Sequence, residues 1–181
     1  VGGDNIGIGF DSGLLTTEGN HNVFIGTEAG ATNTTGDELI LIGYRAGKAI
    51  NHASDADGTV AIGHQSLIDL TSGARNIAVG YRSGYNTTTG AGNISIGYEA
   101  LHGSDSTAMT GEYNTAIGYR SGYDMTTGLY NHMIGYLTGE NITTGDSNIA
   151  IGHDTLSTIS TQDGNVGIGH QVLQDYASTN A

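Results

Sequence analysis

The side chains with chemistry to offer are seven histidines, eighteen acidic residues and ten tyrosines; cysteine is absent. His153 and His170 stand seventeen residues apart. Stacked in adjacent coils and multiplied over several chains, they could take a transition metal, for which imidazole is a common ligand. The simpler reading, preferred here, is that each replaces a tyrosine as a flat ring. Ser54-Asp55-Ala56-Asp57-Gly58 places two carboxylates in an irregular stretch, and Asp105 lies in a second one. Calcium takes roughly six to eight oxygens and the remaining ligands are missing, so a polar turn is preferred to an ion site. Both stretches nevertheless count as possible contact surfaces through Asp55, Asp57 and Asp105, because extra residues in a repeat array map to loops, often on a binding face. Tyr85, Tyr113, Tyr123 and Tyr130 could stack on sugars or pack in ladders. Recurrent threonines such as Thr17, Thr34 and Thr126 raise ice binding, but each sits beside a glycine turn that should splay it. No phosphate loop, zinc-ligand motif or nucleophile motif occurs. No catalytic residue, cofactor or metal is therefore assigned, and the expectation is a protein that is not an enzyme.

What positions these residues is a repeat. An Ile-Gly or Val-Gly pair recurs at Gly9, Gly26, Gly43, Gly63, Gly80, Gly97, Gly118, Gly135, Gly152 and Gly169. Seven of the nine spacings are 17, and the others are 20 and 21. Four residues before the anchor stands Asn5, Asn22, Asn76, Asn93, Asn114, Asn131, Asn148 or Asn165. One before is always Ile or Val, as in Ile25, Ile42, Ile62, Ile96, Ile117, Ile134, Ile151 and Ile168. One after is usually Tyr or His, and four after is always Gly or Leu. Beta-branched and aromatic residues suit a strand, whereas Thr-Thr-Gly segments are turn chemistry. The reading is an all-β parallel solenoid, a β-roll of about ten 17-residue coils forming one repeat domain over residues 1–181. Each coil is expected to hold two short strands and two turns. Stacked at about 4.8 Å, the coils make a rod segment of roughly 45–50 Å. The asparagines read as a buried ladder, each bonding to the next.

Composition narrows the function. A net charge of −13 repels nucleic acid, which needs cations facing phosphate. No apolar run approaches the ~18 residues of a membrane span. Collagen is excluded, since it requires Gly at every third position and much Pro, and this chain has none of the latter.

Alternate residues of a strand face opposite sides. The positions three and one before the anchor, both mostly Ile or Val, are taken as the coil interior. The position between them then points outward, yet it carries no charge in any copy, from Gly7 and Phe24 to Ala150 and Gly167. A strand covered on both faces calls for another chain, so the expectation is a homo-oligomer, most simply a trimer, packed along that column.

Asn114-Thr115-Ala116-Ile117-Gly118 and Asn148-Ile149-Ala150-Ile151-Gly152 resemble the head repeats of trimeric autotransporter adhesins, and the longer pattern from Asn114 to Gly128 is similar to repeats of phage tail fibres. The resemblance covers essentially the whole chain. It implies three chains side by side as a left-handed β-roll in an extracellular, cell-surface or virion fibre that presents attachment surfaces to a glycan or protein receptor. It carries over no catalytic residue. Neither end reads as a cap, so coils are expected to continue in a longer chain or by end-to-end stacking. A self-assembling filament subunit and a glycan- or ice-binding solenoid are the alternatives.

Overall fold

The computed structural model describes residues 2–51 and 56–174. It is a parallel β-solenoid with one strand per coil: β1 (Ile6–Ile8), β2 (Val23–Ile25), β3 (Ile40–Ile42), β4 (Val60–Ile62), β5 (Ile77–Val79), β6 (Ile94–Ile96), β7 (Thr115–Ile117), β8 (His132–Tyr136), β9 (Ile149–His153) and β10 (Val166–His170). The strands form a single sheet in chain order, β1 to β10, with every neighbouring pair parallel. Register passes unbroken through both longer coils: Ile40 pairs with Val60, and Ile94 with Thr115.

Among the described residues the second strand expected in each coil is not formed. The opposite wall is built of stacked turns, held by backbone bonds between coils such as Gly30 N–H to Ala46 O (3.0 Å) and Gly84 N–H to Ala100 O (2.9 Å). The glycine-rich sequence favours this, because the turns need left-handed backbone that glycine adopts without strain. At the anchor itself, Gly80 has φ +141°, and a Cβ there would be driven into the carbonyl of Gly97 in the next coil. The Ile-Gly signature therefore marks the place where consecutive coils approach most closely.

The strand faces are the reverse of the sequence expectation. From the second coil on, the residue two before the anchor points into the coil: Phe24, Leu41, Ala61, Ala78, Ala116, Met133 and Ala150 are all buried. The flanking Ile and Val face outward. Ile25, Ile42, Ile62 and Ile117 are half-buried, and Ile96, Ile134, Ile151 and Ile168 are exposed. The physical reason is room. A coil with one three-residue strand encloses a narrow interior that admits one side chain per strand, not two β-branched ones.

The remainder of the interior comes from the turns. Where the strand contributes Phe24, Leu41 or Met133, the position four after the anchor is glycine; Gly30, Gly47 and Gly139 lie directly against those side chains. Where the strand contributes Ala61, Ser95 or Ala150, that position is Leu67, Leu101 or Leu156, each buried. In these coils the choice of Gly or Leu is thus large-against-small packing of the kind that dense interiors require; where both positions are small, at Ala78 with Gly84 and Ala116 with Gly122, Leu67 and Met133 of the neighbouring coils fill the space. Coils two to five and coils six to nine form two apolar clusters along this interior.

Candidate functional site

The asparagine column holds main chain. Asn131 is buried; its Oδ1 accepts the backbone N–H of Asn148 at 2.9 Å, and its Nδ2 donates to the Gly145 carbonyl at 2.8 Å. The same pair of bonds is made by Asn76 (to Asn93 N–H and Gly90 O), Asn93 and Asn114. Side-chain bonds between successive asparagines, the ladder expected from the sequence, form toward the C-terminal end, from Asn114 to Asn93 (3.2 Å) up to Asn165 to Asn148 (2.9 Å). Where the repeat departs from Asn, Thr59 Oγ1 still accepts from Asn76 N–H at 3.4 Å.

The ring column after the anchor is a continuous stack. Tyr44, His64, Tyr81, Tyr98, Tyr119, Tyr136, His153 and His170 follow one another with centroids 4.8–5.3 Å apart. His153 and His170 are its last two rings. The rings lie over one another, so edges rather than faces meet solvent. Among the described residues no group of three or more His, Asp or Glu is placed to hold a metal ion.

The candidate contact residues do not converge. Tyr85 and Tyr123 sandwich His102, with centroids at 5.0 and 4.7 Å; His102 is buried, and its Nδ1 lies 2.8 Å from the Gly103 carbonyl. The scattered spacing of the histidines concealed this column, because the four-residue insertion follows His102 directly. Arg120 lies over Tyr123 at 3.9 Å and bridges Glu140 at 3.1 Å and Glu99 at 3.7 Å. Burial raises the Tyr123 phenol above its ordinary range. Tyr113 and Tyr130 form a separate exposed pair at 5.5 Å. Asp57 accepts the Asp37 N–H at 2.8 Å, a bond between coils. Asp55 lies outside the described residues. Asp105 is exposed on the second insertion, 3.9 Å from His102 Nδ1. It lines a shallow pocket of about 260 Å³ together with Asp69, Asn86, Thr88 and Ser104. Burial raises the Asp69 carboxyl above its usual range.

The charged column two after the anchor is left-handed throughout its charged members, with φ 47–58°. Glu28 meets Arg45 at 2.8 Å and Lys48 at 2.6 Å; the bond to Lys48, then that to Arg45, holds its carboxyl below the usual range. In this column Glu99 stands one coil from both Arg82 and Arg120. Arg120 does reach it, but Arg82 turns to Gln65 Oε1 (3.1 Å) and lies over Tyr85. The threonine hydroxyls donate to carbonyls of the next coil, as in Thr17 to Thr34 O (3.2 Å) and Thr126 to Thr143 O (3.0 Å), so their donors point along the stack.

Comparison with protein-family models, curated proteins and solved structures finds no match for this chain.

Proposed function

We propose that this chain is a non-catalytic segment of an extracellular, cell-surface or virion fibre, a shaft or head that assembles from several copies, three in the simplest arrangement, and presents repeated surfaces for attachment. The observation that supports this reading most is the unbroken register of ten parallel strands through both longer coils. The stacked rings and the asparagine clamps run along the same axis, so the recurrent side chains serve a regular, stiff rod. A rod repeating one weak surface gains attachment strength through multivalency, which can raise avidity 10²–10⁴-fold over single contacts. The resemblance to adhesin heads and tail fibres agrees with this role.

Light scattering together with negative-stain electron microscopy tests it. Short rods whose mass is a small multiple of 18.6 kDa support a fibre segment. Polymers of indefinite length would replace it with the filament subunit, and a single-chain species that binds on a glycan array would replace it with a sugar-binding solenoid.

A further inference from the structure

We infer that the outward Ile/Val face of the sheet is where a second copy of this chain packs, parallel to the first and rung against rung. The inference rests on the several-chain reading above, gives that reading a surface and sets the number of copies at two rather than three, since two opposed faces leave none for a third copy.

Three columns make the face: the residues three before, one before and one after the anchor. None of these thirty positions is Asp, Glu, Lys or Arg, in a chain with eighteen acidic and five basic residues. A strand face turned to water has no physical reason to exclude charge so completely. The face also gathers the apolar exposure of the molecule. Of the nineteen exposed large apolar side chains among the described residues, all but Leu14, Leu15, Tyr113 and Tyr130 lie on it. Their combined exposed area is on the order of 1,000 Å², above the ~300–600 Å² patch of an ordinary monomer and comparable to the ~800 Å² per partner of a stable interface.

The arrangement within the face is that of an interface. The central column is Ile or Val in all ten coils, and the tyrosine and histidine ring stack forms one margin. An apolar, aromatic surface from which charged residues are missing is what the core of a protein interface is made of. A second copy is the occupant that matches it, because only another solenoid carries side chains at the same coil spacing over the full height. The insertions leave this face continuous, since strand pairing is in register through both.

Orientation follows from the two polar breaks in the column three before the anchor, Thr115 and His132. With chains parallel and in register, and the two sheet faces opposed, they meet the partner's ring column at the same level, where Tyr119 and Tyr136 offer hydroxyls. With chains antiparallel they meet the level of Val60 and Ile40, leaving polar groups against aliphatic ones. The column first expected to be covered by another chain is buried within its own coil. The requirement for a cover therefore moves to the opposite face.

The test begins with the native mass. Ile96→Asp, and separately Val79→Lys, should convert the wild-type assembly to a species of 18.6 kDa with unchanged circular dichroism, because both side chains point away from the coil interior. Tyr113→Ala, off the face, should leave the assembly intact. An assembly insensitive to both face variants overturns this inference while leaving the several-chain reading standing. A wild-type protein of single-chain mass at every concentration overturns both. The chain has no cysteine, so orientation is read by crosslinking. Ile25→Cys should form a disulfide with its own copy; a bond to Ile151→Cys in preference would refute the parallel arrangement.

Discussion

Replacing Asn131 by alanine removes the most heavily used clamp in the column. Its Oδ1 is the acceptor for the Asn148 N–H and its Nδ2 the donor to the Gly145 carbonyl; no other hydrogen bond is formed by either main-chain group. The ladder bonds to Asn114 (3.1 Å) and from Asn148 (3.0 Å) go as well, but Asn114 Oδ1 keeps the N–H of residue 131 and Asn148 Nδ2 keeps Gln162 O, so the groups left unpaired are one N–H and one C=O. Each buried orphan costs about 1–3 kcal/mol, which sets the expected loss at roughly 2–6 kcal/mol. For a chain of this size that lowers the melting midpoint by about 5–20 °C. Asn131→Thr should cost less, because its hydroxyl can keep the N–H paired, as Thr59 does for Asn76. The assay is thermal unfolding by circular dichroism, with amide exchange at Asn148 as the local readout. An alanine variant as stable as wild type, or a threonine variant less stable than alanine, would refute the clamp argument.

Three further outcomes follow from the same geometry. Gly80→Ala meets both a φ of +141° and the Gly97 carbonyl, and should prevent folding of the adjoining coils or lower the midpoint by more than the asparagine variant does. Leu67→Ala should cost about 2–5 kcal/mol through the cavity beside Ala61 and Ala78, and Ala78→Leu in that background should recover part of it; additive losses would refute the large-against-small pairing. Asp69 is exposed as a residue, but partial desolvation of its carboxyl raises it above the usual range, so the effect on stability is small. Its contribution is therefore full below the ordinary carboxylate pKa and is lost as pH rises through the folded value. Asp69→Asn should thus raise the midpoint at pH 7 and give no advantage at pH 3, and a gain independent of pH would contradict this.

Much of the architecture is legible in the sequence because a solenoid repeats its constraints. The Asn and anchor Gly positions recur wherever the backbone must be clamped or approached, and so the parallel order and the longer coils follow from spacing alone. The direction of the strand faces does not. Ile at two positions and Ala at the one between them read as interior and exterior under any rule that buries the larger apolar residue. The narrowness of a one-strand coil reverses that rule. The clue was the Gly or Leu four after the anchor, whose size varies against that of Phe24, Leu41 or Ala61, but it has meaning only once both positions are known to share one interior. His102 was missed for a related reason: a column is visible by spacing only where the spacing is constant. Candidate contact residues chosen for exposed aromatic character fell into two separate stacks, because stacking between coils draws rings into line whatever else they do.

The coil-to-coil pairing also sets how the rod responds to load. Each coil bonds only to the one before and the one after, so tension applied through the chain meets the coils in series. An end coil peels away while its neighbours remain paired, and each one released adds about 55–60 Å of slack at ~3.3–3.6 Å per residue. Stretching should therefore proceed coil by coil, in steps that are equal except for the two longer coils, with each ruptured coil dissipating energy and capping the force passed along the chain. A rigid spacer at rest becomes an extensible tether under strain, and on release the remaining coils template re-pairing of the slack chain.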